Sequence, residues 1–289
     1  GGEGFTVIMK EGRTASEVAF PGAPRTLKMA CGENPKRSYG EKGGPSTRMG
    51  ELASFRQLFV DAKSYREKID ADEEEGRPRR TDGALETLAD LIDGDVLLQV
   101  HCYKASDMAE MIEVTEQAGI TIRAFHHGLE AYKIRDLLAA KGIAVATWAD
   151  WWSFKLEALD GIVQNAPLLH LAGGRTVIHS DSAELIQRLN QEAGKALFAG
   201  QRDGLDVDDT DALKWITANP AWMLGIDAVT GTLEVGKRAD VVVWNRNPFS
   251  VYAKAKLVYI AGEVAYDAAV GLRPSDYEAG RTPATLEQP

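Results

Sequence analysis

Five short apolar runs, separated by longer stretches of helical periodicity, constrain this chain more than any other feature. They occupy residues 26–31, 96–102, 121–127, 144–149 and 175–180. Between them apolar residues recur at spacings of three and four, as in Leu52, Phe55, Phe59 and Ala62, or Met108, Ile112 and Thr115, or Leu185, Leu189, Ala193 and Ala196. Each set is one apolar stripe of an amphipathic helix. Gly119, Gly142 and Gly173 follow such stripes, where a left-handed residue commonly ends a helix. Strand alternating with helix predicts βα units and a parallel sheet. The mixed charge run at 61–80 reads as a solvated helix end and an exposed loop. Beyond about residue 225 the pattern changes to short β segments at 231–233, 240–244, 257–260 and 263–266, with a tight hairpin at Ala261 and Gly262. The chain therefore divides into an α/β body, 1–225, and a β portion with a tail, 226–289, whose Pro- and charge-rich end from Leu272 is expected on the surface.

Composition removes several classes of function. The chain of 289 residues is 44% hydrophobic, too apolar for general disorder. Its net charge of −10 is spread along the sequence and offers no basic face for nucleic acid or an anionic membrane. No apolar run approaches the length needed to span a bilayer. Two cysteines, Cys31 and Cys102, exclude a disulfide scaffold and are expected to be neighbouring, buried and reduced. The first residues, Gly-Gly-Glu-Gly, carry no signal region. They do not decide the compartment, for which the cytoplasm is slightly favoured.

The chemistry gathers at the ends of the apolar runs. Lys28 lies in the first, His101 closes the second, His126 and His127 the third, and Asp181 follows the fifth. In a parallel barrel these ends converge on one mouth. Imidazole and carboxylate ligands from separate strands suit zinc or a similar divalent ion. Singly, each residue has a plainer reading: a hydrogen-bonded strand-end histidine, a snorkelling lysine, and a helix cap at Asp181. Their recurrence at successive strand ends favours the metal site.

These residues resemble the amidohydrolase superfamily, in its imidazolonepropionase-like and prolidase-like branch. The Lys28 strand resembles the strand-four lysine motif and His101 the strand-five histidine. HHG at 126–128 resembles the strand-six His-Gly and so selects His127 over His126, and HSD at 179–181 resembles the strand-eight aspartate motif. TANPAWMLGID followed by TGTLEVGKRADVVVWN is similar to the family's passage from barrel to terminal β-sandwich. The resemblance implies a TIM-like (β/α) barrel, strands four to eight, with a small partial β-sandwich. It implies one or two divalent ions, held by Lys28 as a carbamate, His101, His127 and Asp181, with Asp181 also the proton carrier. The implied reaction is hydrolysis of a C–N amide bond in a cyclic or peptide-like small molecule. Deacetylation and deamination are alternatives within the superfamily. Tyr103, Lys104, His179, Trp148 and Arg37 are candidate substrate contacts, and an assembly of identical chains is left open.

One departure matters. The family's metal site begins with a first-strand His-x-His, and no histidine precedes His101. The sequence therefore reads as lacking on the order of a hundred N-terminal residues, since a barrel alone takes ~250. That leaves a non-catalytic, weakly metal-binding fragment as a reading from a different class. A phosphate-binding barrel would want a Gly-rich loop after the seventh or eighth strand, which HSDSAEL does not offer.

Overall fold

The computed structural model describes residues 2–9, 13–78 and 81–271; the expectation for the tail from Leu272 lies outside them. Its strands are β1 (Gly2–Gly4), β2 (Arg25–Ala30), β3 (Val96–Cys102), β4 (Ile122–His127), β5 (Ala144–Thr147), β6 (Arg175–Ile178), β7 (Val241–Trp244), β8 (Ala255–Ile260) and β9 (Glu263–Asp267). Its helices are α1 (Ala15–Val18), α2 (Glu33–Tyr39), α3 (Arg48–Glu74), α4 (Gly83–Asp93), α5 (Ala105–Gln117), α6 (Arg135–Ala140), α7 (Asn165–Leu171), α8 (Leu189–Arg202), α9 (Asp209–Ile216) and α10 (Ala218–Met223). The five apolar runs are thus β2 to β6, and they pair in parallel in sequence order. No helix among the described residues is long and apolar enough to cross a membrane.

Period-two alternation sends the side chains of these strands to opposite faces. Leu27, Met29, Val96, Leu98, Val100, Phe125 and Val145 pack with Phe59 and Ala62 of α3, Leu88 and Leu91 of α4, and Met108 and Met111 of α5. Leu98, Val100 and Phe125 are wholly inaccessible, and burying each such side chain is worth about 1.5–3 kcal/mol. The other face carries two registered rows. Lys28, Gln99, Ala124, Ala144 and Arg175 form the lower row; Ala30, His101, His126, Ala146 and Val177 form the upper. The small alanines let α10 lie close, with Met223 seated against Ala124, Ala144, Ala146 and Val177. Beside it, the Trp222 ring is sandwiched between Arg123 at 3.3 Å and Arg175 at 4.0 Å.

The sheet is open. Its edges, β1 and β6, are not paired with each other, so among the described residues the portion expected of a TIM-like barrel, strands four to eight, forms an open sheet. Five parallel strands are too few to complete the eight-stranded cylinder. Each edge is finished differently. β1 runs antiparallel along β2, with Gly2 opposite Lys28, and Arg25 pins it by an ion pair to Glu3 at 3.0 Å. At β6, Asn219 of α10 donates its side-chain N–H to the Thr176 carbonyl at 2.8 Å.

The strands β7, β8 and β9 form a separate antiparallel sheet. Ala261 and Gly262 turn β8 into β9 with φ of 54° and 81°, the pair of positive values that a two-residue hairpin of this hand requires. The expected partial sandwich is, among the described residues, this single layer. The loop between β7 and β8 docks on the body through Phe249, buried with Ala193, Leu197 and Trp215.

The cysteines require a correction. Cys31 continues β2, donating its backbone N–H to the His101 carbonyl at 2.9 Å, which places it across from Cys102. The two lie 5.4 Å apart between Cα atoms, as expected of neighbours, but they are joined as a disulfide rather than left as free thiols. Denaturing thiol titration without reductant should therefore find no free groups. Reductant should lower the unfolding free energy by up to about 4 kcal/mol, the chain-entropy value for a cross-link across 71 positions. Two titratable thiols in the untreated protein would refute this.

A histidine cluster at the carboxyl ends of the strands

The site is built where the parallel strands end. His101 stands in the upper row of β3, next to His126 on β4. His127, one residue on, would ordinarily point to the opposite face. Its backbone instead takes φ of 75°, a conformation uncommon for a residue with a Cβ, and the ring comes to lie 4.4 Å from that of His101. His179, just past β6, has its ring 5.1 Å from His127 and 6.1 Å from His126. Trp148, just past β5, stacks on both His127 at 4.5 Å and His179 at 4.9 Å. Tyr103 also stacks on His127 at 5.0 Å, with its ring 6.2 Å from that of Trp148.

Electrostatics keep these imidazoles neutral. Burial, with the positive charges of Lys155 and Lys28, pushes His101 down to about 4. Burial, with Lys28 and His101, pushes His179 down to about 3. His126 and His127 are lowered as well, again chiefly by burial. The Lys28 ammonium is itself disfavoured by burial, and the charge of Asp181 partly opposes this. Two buried ring nitrogens, His127 Nδ1 and His179 Nε2, have no hydrogen-bond partner, which is costly unless something else meets them.

Four of the sequence-derived residues are thus brought to one region. His101 and His127 are in ring contact, Lys28 sits one row below His101, and Asp181 is close enough to act on Lys28 and on Tyr103. Asp181 does not cap a helix. The hydroxyl of Ser182 accepts from the backbone N–H groups of Glu184 and Leu185 at 3.2 and 3.3 Å, at the entry to a short 3-10 turn, Leu185–Arg188. Asp181 is left exposed, in a left-handed turn with φ of 51°. Trp148, His179, Trp151 and Lys195 line a cavity of about 190 Å³ beside the cluster. Of the remaining candidates, Lys104 is the residue before α5, and Arg37 is exposed on α2.

Three features escape sequence reasoning. Gln99 accepts from His126 Nε2 at 2.6 Å; its place two residues before His101 is a signal, since period two puts both on one face. Lys155 lies 4.0 Å over the Tyr103 ring and has no sequence signal at all. Arg48 bridges Asp107 at 3.0 Å and Glu157 at 3.1 Å, joining three distant segments around Gly32.

The donor chemistry fits a borderline divalent ion, because neutral imidazoles, two of them with a buried ring nitrogen left without a partner, cluster beside a lysine whose charge is disfavoured. No three His, Cys, Asp or Glu side chains among the described residues form a group ready to hold a metal, so the set is a partial one.

Fold and site together define an α/β protein with a polar centre at the carboxyl ends of a parallel sheet. The profile of the amidohydrolase family matches residues 130–266. The amidohydrolase tasK of Hapsidospora irregularis is 31% identical over 92% of this chain and 29% of its own length. A 5-methylthioadenosine/S-adenosylhomocysteine deaminase of Desulforudis audaxviator is 34% identical over 46% of this chain and 32% of its own. Among solved structures, an amidohydrolase from Thermotoga maritima superposes with a TM-score of 0.78 at 33% identity, covering 86% of this chain and 64% of that one. The chain belongs to the amidohydrolase superfamily, whose members are generally metal-dependent. It spans less than two thirds of the length of these relatives.

Proposed function

We propose that this chain carries the lysine, histidine and aspartate part of a metal-dependent hydrolase of C–N amide bonds, acting on a cyclic or peptide-like small molecule. The observation that carries this is the convergence of His101, His127, Lys28 and Asp181 at the ends of adjacent strands, with a buried imidazole nitrogen left unmet. His101 and His127 would hold a zinc-class ion, with Lys28 below them. Such an ion, when bound, polarises a carbonyl and lowers the pKa of water. Burial that favours the free amine of Lys28 also favours its carboxylation by carbon dioxide, which turns a repelling ammonium into an anionic donor. Asp181, exposed at the mouth, takes a proton from the attacking water and passes it to the leaving nitrogen. Trp148 shields the rings of His127 and His179 from solvent. The identity to a deaminase over nearly half the chain favours deamination as the second reading, since these residues do not distinguish the leaving group.

Metal analysis tests the reading. The purified chain should take up at most about one zinc ion, with little or no amide hydrolysis, because the first-strand ligands are absent from its sequence. His101→Ala and His127→Ala should each weaken zinc binding by more than about 100-fold, as even partners behind the ligands cost 10–100-fold. Unchanged uptake in both variants would sink the proposal.

A further inference from the structure

His101 makes one hydrogen bond whose direction can be read from its neighbours. Lys155 Nζ lies 2.8 Å from Asn34 Oδ1. An ammonium only donates, so that atom is the amide oxygen, and the amide NH₂ is turned the other way, 2.9 Å from His101 Nε2. An amide nitrogen also only donates. His101 Nε2 therefore presents its lone pair to Asn34, and the proton of the neutral ring is on Nδ1. Lys155 is held in turn, 2.9 Å from Glu157 Oε1 and 4.0 Å above the Tyr103 ring. Glu157 is fixed by Arg48 at 3.1 Å and by the Glu33 backbone N–H at 2.8 Å. Contacts thus run from an ion pair through Lys155 and Asn34 to one ring nitrogen.

We propose that Asn34, oriented by Lys155, is a positioning residue that occupies the Nε2 lone pair of His101 and withholds it from a divalent ion. Loading of the ion then requires the amide to turn away. This rests on the reading of His101 as a ligand. Removing the amide frees the lone pair. Removing the ammonium of Lys155 frees the amide to flip.

The experiment is a zinc titration of the full chain against a competing chelator, with Asn34→Ala, Lys155→Met and His101→Ala beside the unmodified protein. Asn34→Ala should bind zinc about fivefold more tightly, the size of one neutral hydrogen bond, and Lys155→Met should shift in the same direction. Circular dichroism establishes that each variant is folded, and Lys155→Met carries the test should Asn34→Ala not fold. Nitrogen-15 spectra of the metal-free protein give an independent reading: His101 should show a protonated Nδ1 and a bare Nε2, and Asn34→Ala should mix the tautomers. Unchanged or weaker binding in both variants, with His101→Ala weakened, overturns the proposal and leaves the ligand reading intact. Unchanged binding in His101→Ala overturns both, and a protonated Nε2 on His101 in the metal-free protein overturns the proposal alone.

Discussion

Stripped of metal by a chelator, this protein should lose at least about 3 kcal/mol of stability between pH 6.5 and pH 4. The folded protein holds His101 at about 4 and His179 at about 3, against an ordinary 6.5 in the unfolded chain. The unfolded state therefore takes up protons first as the pH falls. The stability of the neutral cluster is complete above 6.5 and drains away as the pH falls toward those lowered values. A depression of two to three units in one ring corresponds to about 3 kcal/mol, a large share of the 5–15 kcal/mol typical of a domain. His126 and His127 act in the same direction. Glu51 opposes them. Burial raises it to about 7, so its contribution is complete below the ordinary carboxylate range and is lost as the pH rises through 7. It is one group against four. Urea midpoints at pH 7, 5.5 and 4.5 measure the slope, and His179→Gln should flatten it. Midpoints that do not move between pH 6.5 and 5, above the range of ordinary carboxylates, would show that the rings are not held neutral by burial.

Gly128→Ala should destabilise the protein by about 2–4 kcal/mol and weaken zinc binding with it. Gly128 follows His127 with φ of 44°, and a Cβ there would stand 2.5 Å from Val145 Cγ1. Val145 is almost wholly buried, so the clash falls on packed core and adds overpacking to left-handed strain. The same residue donates its N–H to the Cys102 carbonyl at 2.9 Å and accepts from Asn165 at 3.0 Å. The turn that swings His127 back toward His101 depends on both bonds. Gly119→Ala is the control. Its φ is 80° but nothing lies within 4 Å of the added carbon, so only the backbone cost of about 1 kcal/mol applies. Equal melting temperatures for the two variants would mean that the close approach at Gly128 is readily relieved.

The contrast between these glycines shows what was legible in the sequence. The five parallel strands were, because apolar runs bounded by glycines leave little choice of element. So was the placing of His101 and the 126–127 pair at the ends of their strands. The choice of His127 came from the His-Gly resemblance and not from periodicity: strand alternation assigns it to the far face, and its positive φ turns it back. Lys155 and the Arg48, Asp107 and Glu157 bridge were invisible because ion pairs between distant segments leave no periodic trace. The disulfide was misjudged because two cysteines in apolar runs read alike whether or not they are joined, although their proximity was foreseen. β1 was missed because Gly-Glu-Gly shows no apolar alternation. That five such strands fall short of a closed cylinder was legible from their number.

The two borders of the sheet are finished by segments far apart in the sequence, Gly2–Gly4 on one side and Asn219 on the other. The border at β1 forms between neighbouring segments of the sequence, whereas that at β6 waits for α10, made after every strand of this sheet. During synthesis the growing sheet presents the unguarded flank of each newly added strand, a template for any extended segment nearby. Only when α10 arrives does the last flank, at β6, lose a free carbonyl. The fold is thus sealed late and from its far end. Its vulnerability to mispairing is concentrated in the interval between the emergence of β6 and the docking of the helix that carries Trp222.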